Sequence, residues 1–293
     1  MENQNYNLKD TVVKNYLQWS DEGKAGVLQY AVGMVLCFFT YFMLSNAIIL
    51  PIMMFDPEFL QTELGSNATI LACFAVPFVI IPFITHWIHK RPTWSVAMPA
   101  FKVEKGNLAF GFIGFMVVQL LMSFSLNAIG LLNLKYVGFN WQAFIPMFLI
   151  SFFGIFIQSS AEELLFRGYL TQAIRRIVKN PFVFILFQAI IFAYPHIGNI
   201  SAFKGSIFAA TPYLISGILF GWTAYKTGSL WMSIGLHWSN NLGNVVLIGL
   251  KDDILKTVAP FTSEMPTLEI AIALTLAQSA VMAILILFYI RKK

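Results

Sequence analysis

The sequence predicts an all-α membrane protein, a bundle of about eight transmembrane helices around an intramembrane polar cavity. Three observations carry that expectation. The 293 residues are 58% hydrophobic and only 11% charged, with a mean hydropathy of +0.71, whereas a soluble domain carries roughly 25% charged residues. Apolar runs of bilayer length recur along the whole chain. Lysine and arginine fall in short clusters between those runs, so the net charge of +5 reads as a topology signal and not as a nucleic-acid surface.

The runs lie near 28–50, 68–88, 108–132, 143–164, 181–197, 206–225, 229–249 and 268–290. The fifth is short, and Thr211-Pro212 interrupts the start of the sixth. With a cytoplasmic N-terminus, 15 of the 19 basic residues fall inside, and 4 (Lys135, Lys204, Lys251 and Lys256) fall outside. Lys9, Lys14, Lys24 and the basic end Arg291 to Lys293 are then all inner. Both termini are therefore expected in the cytosol, in the plasma membrane of a prokaryote. The polar start of the chain has no signal-peptide core. Pro51 to Asn67, with Asp56, Glu58 and Glu63, reads as an outer loop, and the sequon Asn67-Ala68-Thr69 as a chance match. Lys90 to Lys105 is expected along the inner surface, with His86 and His89 interfacial. Thr171 to Lys179 is expected there as a short amphipathic helix, before Asn180-Pro181 resets the chain. Cys37 and Cys73 sit in apolar runs and suggest neither a disulfide framework nor a metal site. With no repeat or linker, residues 1–293 read as a single membrane domain.

Three places carry groups that lipid would reject. A charge near the bilayer centre costs roughly 2.5–3.5 kcal/mol on insertion scales, so intramembrane ionisable residues are functional candidates. The first is Glu162-Glu163 followed by Arg167. On a helix Glu163 and Arg167 stand at i,i+4 and can pair, whereas Glu162 is rotated by about 100° and faces elsewhere. The alternative is an interfacial helix end with Arg167 snorkelling to headgroups. The second is His196, just after Pro195, whose missing N–H frees a carbonyl and bends the helix so as to aim the imidazole inward. The alternative is an interfacial histidine. The third pairs His237 with Asn241 on one helical face, and its alternative is polar glue between helices. A carboxylate base, imidazoles that bond or bind metal, and an amide donor to an oxyanion form a recurring hydrolytic set.

Glu162-Glu163-x-x-x-Arg167, Phe192-x-x-x-His196 and His237-x-x-x-Asn241 together resemble, in this order, the motifs of the CPBP family. These are the intramembrane proteases of the CAAX-processing and bacteriocin-processing type, also called Abi, and the resemblance covers about 146–247. It implies hydrolysis of a peptide bond near the cytoplasmic side, within a conical cavity. It also implies that Glu162 activates water with help from His196, that His237 and Asn241 stabilise the oxyanion, and that Glu163 and Arg167 support them. The expected partner is a membrane-associated peptide, prenylated or small and hydrophobic, or a lipidated protein. A glutamate with two histidines is also the ligand count of catalytic zinc. Such a site would use Glu162, His196 and His237, but no HExxH helix is present, and a metal-free mechanism is favoured. A non-catalytic membrane partner or immunity protein of the same family is the competing function. A transporter would call for inverted repeats.

Overall fold

The computed structural model describes residues 15–197, 206–250 and 254–292. Lys9, Lys14, Lys204, Lys251 and Lys293 of the charge pattern lie outside the described residues. Eleven α-helices are described there: α1 (Val27–Phe55), α2 (Pro57–Gln61), α3 (Glu63–Cys73), α4 (Ala75–Trp87), α5 (Lys105–Ala128), α6 (Trp141–Glu162), α7 (Thr171–Ile177), α8 (Pro181–Ala193), α9 (Thr211–Thr227), α10 (Trp231–Val246) and α11 (Leu268–Arg291). A π-helical segment, Glu163–Leu170, joins α6 to α7 without a break. The ends follow local chemistry. Asn180 caps α8 with Pro181 in its first turn, and Gly228, at φ 74°, closes α9.

Among the described residues six helical stretches are long and apolar enough to cross a membrane: Val27–Phe55, Glu63–Trp87, Lys105–Ala128, Trp141–Ile177, Ile207–Thr227 and Leu268–Arg291. The expected count of eight is not confirmed. The runs near 181–197 and 229–249 form the shorter helices α8 and α10, of 13 and 16 residues. Most of α10 is enclosed by protein, so lipid sets neither its length nor its polarity. The expected outer loop is also largely helical. Pro51 lies inside α1, and Asp56 caps α2 by accepting from the Phe59 N–H at 3.1 Å.

Two devices hold α10 in place. Against α5, a Cβ on Gly235 would stand 2.4 Å from the Leu108 carbonyl oxygen, and one on Gly111 would stand 2.4 Å from that of Met232. The two backbones therefore meet directly. Beyond its C-terminal end a three-stranded sheet, β1 (Leu134–Tyr136), β2 (Ile248–Leu250) and β3 (Phe261–Ser263), ties the chain together. Its order is β1-β3-β2, antiparallel for the first pair and parallel for the second. An all-α reading did not foresee it. Nearby, Asn67 is fully buried and exchanges hydrogen bonds of 2.8 and 2.9 Å with the Lys256 backbone, so the sequon is structural.

At the opposite end, residues 15–24 form a strap across the bundle. The buried Arg91 donates to the Trp19 carbonyl and to Gln172, and Gln172 donates to the carbonyls of Tyr16 and Ser95. His89 is not interfacial as expected but fully buried. Its Nδ1 donates to the Lys24 carbonyl at 2.8 Å, and its Nε2 accepts from the Tyr169 hydroxyl at 2.8 Å. The strap supplies the polar partners that water would otherwise provide. The expected amphipathic helix at 171–179 is the continuation of the long helix. There Arg175 and Arg176 each meet Asp21 at 2.7 Å.

Two outcomes follow from these contacts. Gly235→Val drives methyl groups into the α5 backbone and should destabilise by about 1–3 kcal/mol, read as a lowered Tm in detergent. Burial holds the His89 imidazole down at about 4, with the Arg91 charge adding to the effect and the Lys24 carbonyl opposing it. Below its ordinary value, roughly 6.5, the unfolded chain binds a proton that the native ring refuses. Stability present above that pH is therefore lost as pH falls toward about 4. The Tm should drop across this window, and less steeply in His89→Gln.

Candidate active site

The motif residues stand where the long helix changes register. From Glu163 the backbone bonds run i→i+5, a pattern that recurs at functional sites. Side chains take up carbonyls of the wider turn: Thr171 Oγ1 donates to the Phe166 carbonyl at 2.8 Å, and the Tyr16 hydroxyl donates to that of Arg167 at 3.1 Å.

Glu163 and Arg167 are both 0% exposed, and the guanidinium lies 3.1 Å from Glu163 Oε1. The spacing predicted this pair. Arg167 does not snorkel: its guanidinium lies over the Phe192 ring at 4.1 Å and near that of Phe220 at 5.2 Å. Glu163 also accepts from Ser233 Oγ and from His237 Nδ1, the latter at 2.9 Å. An ionised carboxylate only accepts, so Nδ1 carries the proton of that contact. Phe220 stacks on the imidazole at a centroid distance of 5.0 Å.

Glu162 does not face elsewhere. Its Oε2 lies 3.5 Å from His237 Nε2, so the adjacent carboxylates straddle one imidazole, each on its own nitrogen. The reach of two glutamate side chains brings this about. Glu162 Oε1 accepts from Gln158 Nε2 at 2.7 Å. Asn241 Nδ2 donates to Gln158 Oε1 at 3.0 Å, and Asn241 Oδ1 accepts from Asn240 at 2.9 Å.

His196 closes a 3₁₀ turn, Tyr194–His196, after α8 stops at Ala193. Pro195 thus sits at the helix end and not at a bend. His196 Nδ1 donates to the Phe192 carbonyl at 2.7 Å, and the ring stacks on Tyr213 at 4.4 Å. This leaves Nε2 as the acceptor. Glu162, His196, His237 and Asn241 all line one cavity of about 500 Å3, whose other walls include Phe38 and Leu71. A smaller cavity of about 180 Å3 adjoins it and shares Tyr213, Ser216, Asn240 and Asn244 with it. Gly198-Asn199, which follow the second motif, lie outside the described residues.

Among the described residues no three His, Cys, Asp or Glu side chains come together as a metal site. His196 has one nitrogen committed to a carbonyl, and His237 has one committed to Glu163. Each ring keeps its Nε2, and a histidine that ligates a metal commonly donates its other N–H to a carbonyl or carboxylate in this way. Sequence reasoning missed Gln158 and Ser233. Each stands four residues before a motif residue, on the same helical face, and that spacing was the available signal.

Removing one partner from a buried pair leaves an uncompensated charge, at about 3–5 kcal/mol. Arg167→Met should therefore lower Tm in detergent sharply, and more than the double variant Arg167→Met/Glu163→Gln does.

Residues 140–243 match the family described as Type II CAAX prenyl endopeptidase Rce1-like. A relative in Bacillus subtilis (strain 168), "Uncharacterized protein YyaK", is 31% identical over 185 residues, which cover 63% of this chain and 61% of the relative's length. No solved structure matches. Over the stretch they cover, these likenesses agree with the CPBP resemblance of the three motifs.

Proposed function

We propose that this integral membrane protein is a glutamate-type intramembrane endopeptidase that cleaves lipidated or otherwise membrane-associated peptides. One observation carries the reading: Glu162 and Glu163 hold opposite nitrogens of His237, at 3.5 and 2.9 Å, on the wall of a cavity that also takes in His196 and Asn241. In the proposed reaction Glu162 accepts a proton from water, and the resulting hydroxide adds to the scissile carbonyl carbon. His196 Nε2 accepts the water's second hydrogen bond and orients it. With Nδ1 committed to Glu163, a proton on Nε2 makes His237 a cation. The two carboxylates then balance Arg167 and His237, and Nε2–H can donate to the oxyanion. The second N–H of Asn241 Nδ2 is the other donor. The tetrahedral intermediate collapses as the proton on Glu162 passes to the leaving amine.

The apolar walls contributed by Phe38, Ile70 and Phe74 favour a greasy substrate, and the matching family is described as a CAAX prenyl endopeptidase. His237 stands six residues into α10, about 9 Å from its start, at the end where the strap and Arg175 and Arg176 gather. The positive-inside rule makes that end cytosolic. The reading thus places both termini in the cytosol, and the relative in Bacillus subtilis favours a prokaryotic plasma membrane.

The test uses proteoliposomes and a fluorescence-quenched farnesylated CAAX peptide beside its unlipidated counterpart. Glu162→Ala should lower turnover by about 10²–10⁴-fold or more while Tm holds, and chelation should leave the wild type active. Turnover retained in Glu162→Ala removes the base. Activity lost to chelator and restored by zinc replaces the mechanism with a metal-dependent one.

A further inference from the structure

Gln158 belongs to none of the three motifs, yet it touches two of them. It is a buried amide in α6 that follows the run Phe152 to Ile157 and stands one turn before Glu162. Its Nε2 donates to Glu162 Oε1 at 2.7 Å. Its Oε1 accepts from Asn241 Nδ2 at 3.0 Å and from Ser159 Oγ at 3.2 Å. One primary amide thus bridges the carboxylate on α6 and the amide on α10. We propose that Gln158 is a positioning residue that sets Glu162 and Asn241 relative to each other across the cavity.

The chemistry explains why glutamine stands there. With Oε1 engaged, the Glu162 carboxylate cannot rotate freely, and Oε2 is turned toward His237 Nε2. Oε2 is also buried and accepts no hydrogen bond from the described residues. It is therefore the oxygen whose lone pairs no donor among the described residues fills. By accepting one N–H of Asn241, Gln158 also fixes the plane of that amide and hence the direction of its second N–H. Only a side chain with a donor and an acceptor at this reach does both. Glutamate would lose the donor and set a second negative charge beside Glu162, methionine would keep the shape without either group, and asparagine would be one methylene short.

The inference rests on the proposed roles of Glu162 and Asn241, and a double-mutant cycle in the farnesylated-peptide assay tests it. Gln158→Met is nearly isosteric, so Tm should hold within a few degrees. Loss of a hydrogen bond to a charged group should lower kcat by about 10- to 100-fold, with KM nearly unchanged. Combined with Asn241→Ala, it should cost less than about threefold beyond the worse single variant, since both act on one unit. A kcat within about threefold of wild type overturns the proposal. So does a raised KM at unchanged kcat, or losses that multiply across the cycle. A merely structural glutamine would lower Tm and leave the kcat of the folded fraction alone. Should Gln158→Met fail to reach the membrane, Gln158→Glu keeps the shape and the acceptor but removes the donor, and wild-type kcat there overturns the proposal equally. Glu162→Ala separates the two readings. If it is active, the assignment of the base fails; if it is inactive while Gln158→Met is normal, only the positioning role fails.

Discussion

The rest of the structure depends on the complete burial of Glu163. A carboxylate removed from water is tolerated only when its lone pairs are filled and its charge is met. Its partners come from two helices: Arg167 one turn along its own, and Ser233 and His237 one turn apart on α10. Meeting that demand fixes the rotation and depth of α10 against the motif helix. The small faces of Gly111 and Gly235 on its other side let α10 come close enough to α5. His237 is then held by Nδ1, with Nε2 presented to Glu162. The pose of the candidate machinery is thus a by-product of solving one buried charge.

The π segment belongs to the same solution. A wider turn is less favourable than an α-turn and survives where its backbone groups find partners. Here Thr171 and Tyr16 take the carbonyls of Phe166 and Arg167. Tyr16 comes from the strap, whose backbone is held in turn by Gln172 and Arg91. A residue near the N-terminus therefore supports the register of the segment that carries both glutamates. This link runs over 151 residues of sequence.

What could be read from the sequence was local. The Glu163–Arg167 pair followed from i,i+4 geometry, and the all-α membrane class from apolar run length. Long-range relations were not legible. His89 looked interfacial because it stands beside Lys90 and Arg91, and nothing in the sequence shows that the strap folds over it. Glu162 was expected to turn away because helical rotation was considered without the reach of the side chains, which brings both carboxylates to one imidazole. Gln158, at the start of a polar run, and Ser233, a single polar residue among apolar ones, went unnoticed although their spacing to Glu162 and His237 was plain. Asn67 looked like a loop residue until Lys256 closed on it.

The shortness of two of the expected spans has a physical reason that bears on the site. α8 and α10, at 13 and 16 residues, rise only about 20 and 24 Å, short of a hydrocarbon core of roughly 30 Å. Inside a bundle such helices need not reach both surfaces, provided their ends and polar faces meet protein or water. His196 follows α8 in its 3₁₀ turn and α10 carries His237, and the two adjoining cavities, with Asn240 and Asn244 on their shared wall, lie beside them. A full-length apolar helix at either position would fill that space with side chains and leave no room for a hydrolytic water. Shortness, amide content and enclosure are therefore one adaptation, which lets polar chemistry be carried out at a depth where lipid-facing helices cannot support it.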